Sequence, residues 1–256
     1  MYEYRYGELA EEIIEKLADL GIYPIEETFK GEARCNVIYY DETLTEIIED
    51  DYISRTLVEE TGWEEKWKEF IKPGNLTDNL KYDFDIDKDV SSDTILINPS
   101  MAFGTGTHPT TRCAAELLEK VCEGRRVLDA GCGSGILAIA ASKCGAEEVF
   151  AFDIDDIALV NTYENIKLNR VDNIHAWAGE IGGFRGDADV VVANIITSVL
   201  NYIHADVLAL KPEFIVYSGI LDSEYDDFMS QLDTSGYDIV ESNGVEEWRG
   251  VLLKCQ

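Results

Sequence analysis

One glycine-rich bend and three polar side chains carry the densest chemistry in this chain. In VLDAGCGSGILAIAA the apolar run at 127–130 predicts a strand, Gly131-Cys132-Gly133-Ser134-Gly135 a bend, and residues from 136 onward a helix. Gly131, Gly133 and Gly135 let the backbone approach a ligand that side chains would block. The helix amino end offers free N–H groups to a carboxylate. A dinucleotide fingerprint would place its third glycine at position 136, which is Ile136. Asp129, just before the first glycine, would repel a pyrophosphate and suits a ligand that carries an ammonium group. Asp153 ends the next apolar run, VFAFD, where an acid can accept hydrogen bonds from both ribose hydroxyls. An ammonium, a ribose and no phosphate point to S-adenosylmethionine, which also has a sulfonium cation. A tight turn that binds nothing would account for the glycines but not for the two carboxylates.

The acceptor side rests on Asn194, at the end of DVVVAN, where the sulfonium should lie. An amide oxygen there can accept a hydrogen bond from an attacking amine and aim its lone pair at the methyl carbon. Ile195-Ile196 follows in place of a Pro-Pro-aromatic sequence, which argues against a nucleic acid base as acceptor. The plainer alternative for Asn194 is a strand-end turn. MAFGTGTHPTT at 101–111 combines two glycines and four threonines with His108, directly before Pro109, a favoured first helical residue. It is either a turn with a helix cap or a loop that closes over a ligand. His175 and His204 read as packing or surface residues.

These groups need elements to hold them. From Thr94 onward, short apolar runs alternate with helical patterns, as in a parallel sheet covered on both faces. The last two runs, YDIVESN and WRGVLLKC, lie close enough to form a hairpin that adds an antiparallel member. Ligands of such sheets sit at the carboxyl ends of the strands, near the switch point. Residues 1–60 show a β-α-β-β-α-β order: strands around 2–6, 22–29, 34–40 and 53–58, helices around 9–20 and 44–49. That order predicts a small ferredoxin-like α+β domain. Residues 61–95 read as a connector, with Pro73-Gly74 as a break and a charged, irregular stretch after it. The larger domain then spans 96–256.

The composition narrows the function further. With 46% hydrophobic residues over 256 positions the chain can bury a core, and it has no 18-residue apolar run. Its start lacks the basic-then-apolar order of a secretory signal. Six cysteines without CxxC pairs read as reduced thiols of a cytoplasmic protein, and no metal site is expected. The net charge of −30 disfavours nucleic acid and favours a basic partner, although solubility alone could explain it.

AFGTGTHPTT, DAGCGSGILAIAA, FDIDDIA, ANI, SGIL at 218–221 and EEW at 246–248 resemble the motifs of the PrmA family, in the family's order and at similar spacings. The segment at 63–73 resembles the start of the family's linker. The match covers about residues 60–256, and residues 1–60 match in architecture only. The resemblance implies a seven-stranded Rossmann-like class I S-adenosylmethionine-dependent methyltransferase domain, preceded by a substrate-recognition domain. It implies methylation of a basic ribosomal protein of the large-subunit stalk base on amino groups, either lysine side chains or the N-terminal amine. Thr111, Gly131, Asp153 and Asn194 fall on the family's cofactor positions. Phe103, Gly104, Thr107 and His108 fall on a loop expected to fold over the methionine end as a lid. Phe103, His108 and Asn194 are thus the expected catalytic residues. Asn98-Pro99-Ser100 departs from the usual Asp-Pro-Gly ahead of that loop. No strong general base stands out, although free lysine titrates near about 10.4. Desolvation and alignment by Asn194 are therefore expected to do most of the work. A methyltransferase for another protein or a small amine, or a non-catalytic S-adenosylmethionine-binding module, stays open at this point.

Overall fold

The computed structural model describes residues 2–6, 25–28, 34–40, 54–57, 72–98 and 106–256. The chain divides into two compact units, Met1–Ile71 and Lys72–Gln256.

In the first unit, strands β1 (Tyr2–Tyr6), β2 (Ile25–Thr28), β3 (Arg34–Tyr40) and β4 (Ser54–Leu57) form an antiparallel sheet in the order β2-β3-β1-β4. The helices expected around 9–20 and 44–49 lie outside the described residues. The ferredoxin-like reading of this unit therefore stays a proposal.

In the second unit, β5 (Gly74–Asn75), β6 (Lys81–Asp83) and β7 (Thr94–Leu96) make a three-stranded sheet. The charged stretch read as the later part of a connector is therefore folded from residue 72 onward. The reason is a sparse apolar set: Leu76, Leu80, Ile95, Leu96 and Ile97 are all buried, and all but Leu96 belong to the core shared with the main sheet. Strands of two or three residues are too short to show a period of two.

Helix α1 (Pro109–Glu119) leads into β8 (Arg126–Ala130), α2 (Ile136–Lys143), β9 (Glu148–Asp153), α3 (Asp156–Leu168) and β10 (Ile174–Ala178). Then come β11 (Val190–Asn194), α4 (Thr197–Leu210), β12 (Phe214–Leu221), α5 (Tyr225–Gln231), β13 (Tyr237–Val245) and β14 (Trp248–Cys255). The main sheet runs β10-β9-β8-β11-β12-β14-β13. β14 alone runs against the rest, since it pairs antiparallel with both β12 and β13. The seven-stranded Rossmann-like expectation, with its terminal hairpin, is met.

Alternate residues of each inner strand serve opposite faces. Val127, Val190, Val192, Val216 and Leu252 pack with α1 and α2; Leu128, Val191, Ala193, Ile215 and Val251 pack with α4 and α5. Burial on both faces explains why these strands read as continuous apolar runs. Each large aliphatic side chain so buried contributes about 1.5–3 kcal/mol. The chain reverses its winding between β8 and β11, which opens a crevice at their carboxyl ends. Among the described residues no helix is long and apolar enough to cross a membrane.

Candidate active site

The glycine bend occupies that crevice. Gly131, Gly133 and Gly135 have φ of 77°, 53° and 80°, left-handed values that favour glycine. A Cβ on Gly131 would lie 2.7 Å from Cγ2 of Ile195, so the bend and the segment after β11 touch only because this side chain is missing. The N–H groups of Gly131 and Cys132 both donate to the Phe152 carbonyl, at 2.9 and 3.0 Å, and tie the bend to β9. Gly135 caps α2 without any side-chain hydrogen bond.

Asp129 lies at the end of β8, 1% exposed, and neither carboxylate oxygen has a hydrogen-bond partner. Burial pushes its pKa up to about 7, and the charge of Asp153 adds to the rise. The Ala138 amide pulls the other way without reaching hydrogen-bond geometry. A carboxyl this deep with nothing to bind is costly unless a cation completes it. Asp153 is arranged differently. Its Oδ2 accepts from the Gly133 N–H at 2.9 Å and its Oδ1 from the Asp155 N–H at 3.0 Å. Both oxygens keep a further lone pair. An orphaned buried carboxylate, a cradle that a Cβ would fill, and a fixed acid on the neighbouring strand fit S-adenosylmethionine.

Asn194 ends β11 facing the same crevice. Its Nδ2 donates to the Thr111 hydroxyl at 3.5 Å, and its buried Oδ1 has no partner. Thr111 is fully buried in the first turn of α1, where its hydroxyl meets Asn194. Gly219, with φ of 89°, is why β12 can pass so close: a Cβ there would stand 2.3 Å from the Ile195 carbonyl oxygen. The neighbouring Ser218 hydroxyl donates to the Thr110 carbonyl at 2.9 Å, anchoring the start of α1 to β12. SGIL is thus a support for the loop and for Asn194.

His108 is the cap of α1. Its Nδ1 lies 2.9 Å from the Thr110 hydroxyl and accepts from the Thr110 N–H at 3.4 Å, and Pro109 opens the helix. The ring meets Trp248 edge-on at 5.0 Å, so EEW reaches the site through its tryptophan. Thr107 is exposed, and Gly106 (φ 90°) packs against Ile136 and Tyr82, closing the loop's end onto α2 and β6. Phe103 and Gly104 lie outside the described residues.

Sequence reasoning missed a polar seam on the inner side of α3. Asn161, Asn165 and Asn169 are all buried. Asn161 Nδ2 donates to the Asn98 carbonyl at 2.8 Å, Asn165 Oδ1 accepts from the Asn98 N–H at 2.8 Å, and Asn165 Nδ2 donates to the Ser134 carbonyl at 2.9 Å. Asn169 pairs in both directions with the Leu96 backbone, at 2.9 and 2.6 Å. The Thr162 hydroxyl donates to the Gly133 carbonyl at 2.6 Å. The signal was available as asparagines at every fourth residue in NTYENIKLN. The other two histidines do structural work. His204 is buried between the Tyr217 hydroxyl (3.0 Å) and the Asp233 carbonyl (2.7 Å), and the exposed His175 lies 3.0 Å from Glu148.

A family model described as ribosomal protein L11 methyltransferase (PrmA) matches residues 7–256. The chain belongs to this family. Its similarity to the ribosomal protein L11 methyltransferase of Acetivibrio thermocellus is 38% identity over 213 residues, 80% of this chain and 68% of that protein. With the enzyme of the same name from Streptococcus pneumoniae strain P1031 it shares 37% over 211 residues, 79% of this chain and 66% of that protein. The matched stretch is thus about two thirds of those relatives' length. The crystal structure of a ribosomal protein L11 methylase from Lactobacillus delbrueckii subsp. bulgaricus superposes with a TM-score of 0.64 at 27% identity, covering 73% of this chain and all of that one. As a PrmA protein the chain is a methyltransferase with S-adenosylmethionine as donor.

Proposed function

We propose that this PrmA protein transfers methyl groups to amino groups of ribosomal protein L11, on lysine side chains or the N-terminal amine. The observation that carries this reading is that two side chains at the carboxyl ends of neighbouring strands, Asp129 and Asn194, hold buried oxygens without a hydrogen-bond partner. The first suits a cofactor ammonium and the second an acceptor N–H. Bound there, S-adenosylmethionine supplies a methyl carbon activated by its sulfonium.

The residues divide the work. Asp129 sheds its proton to pair with the ammonium, and Asp153 accepts from the ribose hydroxyls. Gly131, Gly133 and Gly135 admit the ligand against the backbone, while Thr107 and Thr111 serve the methionine end. Asn194 Oδ1 accepts an N–H of the acceptor amine and so directs its lone pair. Phe103 and His108 wall the pocket from water, which favours the neutral amine, and the amine's proton leaves to water. Residues 1–60 act as the substrate-recognition domain. A net charge of −30 suits a basic protein partner over nucleic acid, and work on a ribosomal protein fits a cytoplasmic enzyme.

Incubating the chain with methyl-labelled cofactor and a ribosomal protein extract tests the proposal. Label on L11, mapped to amino groups by mass spectrometry, supports it. Label on another band or on small amines points to a different acceptor, and no label despite measured cofactor binding points to a binding module.

A further inference from the structure

The outer side of α4 carries an apolar stripe that begins at the site. Ile196 at the N-cap, and Val199 and Tyr202 in the helix, recur at every third residue and are 65%, 38% and 76% exposed, beside the adjoining face that buries Leu200, Ile203 and Val207. Helical rise spreads the stripe over about 9 Å. It starts two residues after Asn194, at the carboxyl end of β11. Single exposed apolar residues are ordinary, but an uninterrupted stripe adjoining a crevice marks a contact surface.

The flank of the stripe is acidic. Glu224 accepts from the Thr197 hydroxyl at 2.8 Å, which fixes this carboxylate beside the first turn of α4. The Asp222 N–H donates to the Glu247 carbonyl at 2.8 Å, bringing the β13–β14 turn, with exposed Glu246 and Glu247, against the same edge. Arg249 engages Asp222 at 2.5 Å. Glu224, Asp226, Glu246 and Glu247 have no ion pair within 4 Å among the described residues.

We propose that Ile196, Val199 and Tyr202, edged by Glu224 and Glu246–Glu247, form the shelf on which the protein substrate's segment flanking the accepting lysine docks. This rests on the activity proposed above. Charge selects the occupant. A lysine-bearing segment with aliphatic or aromatic side chains between its basic residues satisfies both stripe and rim. A second copy of a chain with net charge −30 meets repulsion there.

The test is a Val199→Ser/Tyr202→Ser double variant of the full chain, assayed on ribosomal protein L11. Both positions are exposed, so the melting temperature and the calorimetric cofactor affinity should match the unaltered chain. KM for L11 should rise about tenfold with kcat within about twofold, as for loss of an aromatic contact anchor. Glu247→Lys, in the rim itself, should raise KM about threefold and flatten its salt dependence. An unchanged KM in the double variant overturns the inference. So does an unchanged KM accompanied by a new oligomeric mass or by altered proteolysis within residues 1–71, which would assign the stripe to a second copy or to that unit. If the unaltered chain leaves L11 unlabelled, the proposed activity falls, and the shelf with it.

Discussion

The backbone N–H of Asn98 donates to Oδ1 of Asn165 at 2.8 Å, while the amide of the same side chain donates to the Ser134 carbonyl at 2.9 Å. One buried side chain thus joins the strand leading toward the loop to the glycine bend. Asn165→Ala removes both hydrogen bonds and should cost about 1–3 kcal/mol. The readout is a lower urea midpoint at constant m-value. Asn165→Asp keeps the acceptor and loses the donor, so it should recover only part of that loss. A midpoint unmoved by the alanine change would show that the bridge carries no stability.

Asp129 gives a pH dependence with a definite sign. Its carboxyl has its pKa raised by burial to about 7, well above the ordinary carboxylate value. Between those two values the folded chain holds a proton that the unfolded chain has released. The stability this confers is therefore complete at low pH and is lost as pH rises through about 7. Pairing with an ammonium requires the ionised form, so cofactor affinity should increase over the same interval. At pH 6, calorimetry in buffers of different ionisation heat should record proton release on cofactor binding. Asp129→Asn should abolish that release, and a release that persists in the variant would assign the proton to another group.

Asn194→Ala should lower kcat about 100-fold, because the amide that aligns the acceptor is gone. The cofactor dissociation constant should change far less, since Asp129 and Asp153 remain. Near-full turnover at unchanged cofactor affinity would remove Asn194 from the mechanism.

Gly219→Ala places a methyl group 2.3 Å from the Ile195 carbonyl oxygen in a left-handed conformation. It should destabilise the fold by about 2 kcal/mol or more and displace the segment that carries Asn194. Thermal unfolding and kcat should fall together. A variant with a wild-type melting temperature would mean that β12 can relax away at no cost.

Raising ionic strength should slow association with L11 more than it slows the methyl transfer step, since exposed charges are screened beyond about 8 Å at physiological salt. Stopped-flow binding and single-turnover rates at several salt concentrations separate the two. An association rate indifferent to salt would leave the acidic surface to solubility alone.

The sequence disclosed those parts of the fold in which one local pattern decides the structure. VLDAGCGSG announced its strand, bend and helix because left-handed glycines and continuous apolar strands are locally encoded. The β13–β14 hairpin was legible from two apolar runs set close together. The folding of residues 72–95 was not legible because Leu76, Leu80 and Ile95 are few and widely spaced, and their burial depends on α1 and α2 being in place. The asparagine seam of α3 was invisible to a reading that looks for apolar faces, because its partners are backbone groups far along the chain. Trp248 reached the site only through the strand order, which places β14 beside β12. Asp153 and Asn194 were legible because each closes an apolar strand, and Asp129 because it stands one residue before the end of another.

That strand order also governs how the molecule is made. β14 lies inside the sheet, between β12 and β13, although the ribosome synthesises it after both. During translation the hydrogen-bonding edge of β12 that β14 covers therefore stays bare until residues 248–255 emerge and pair with it. The larger unit is completed only at the end of its own synthesis, and until then the nascent chain exposes a strand edge that other chains could pair with.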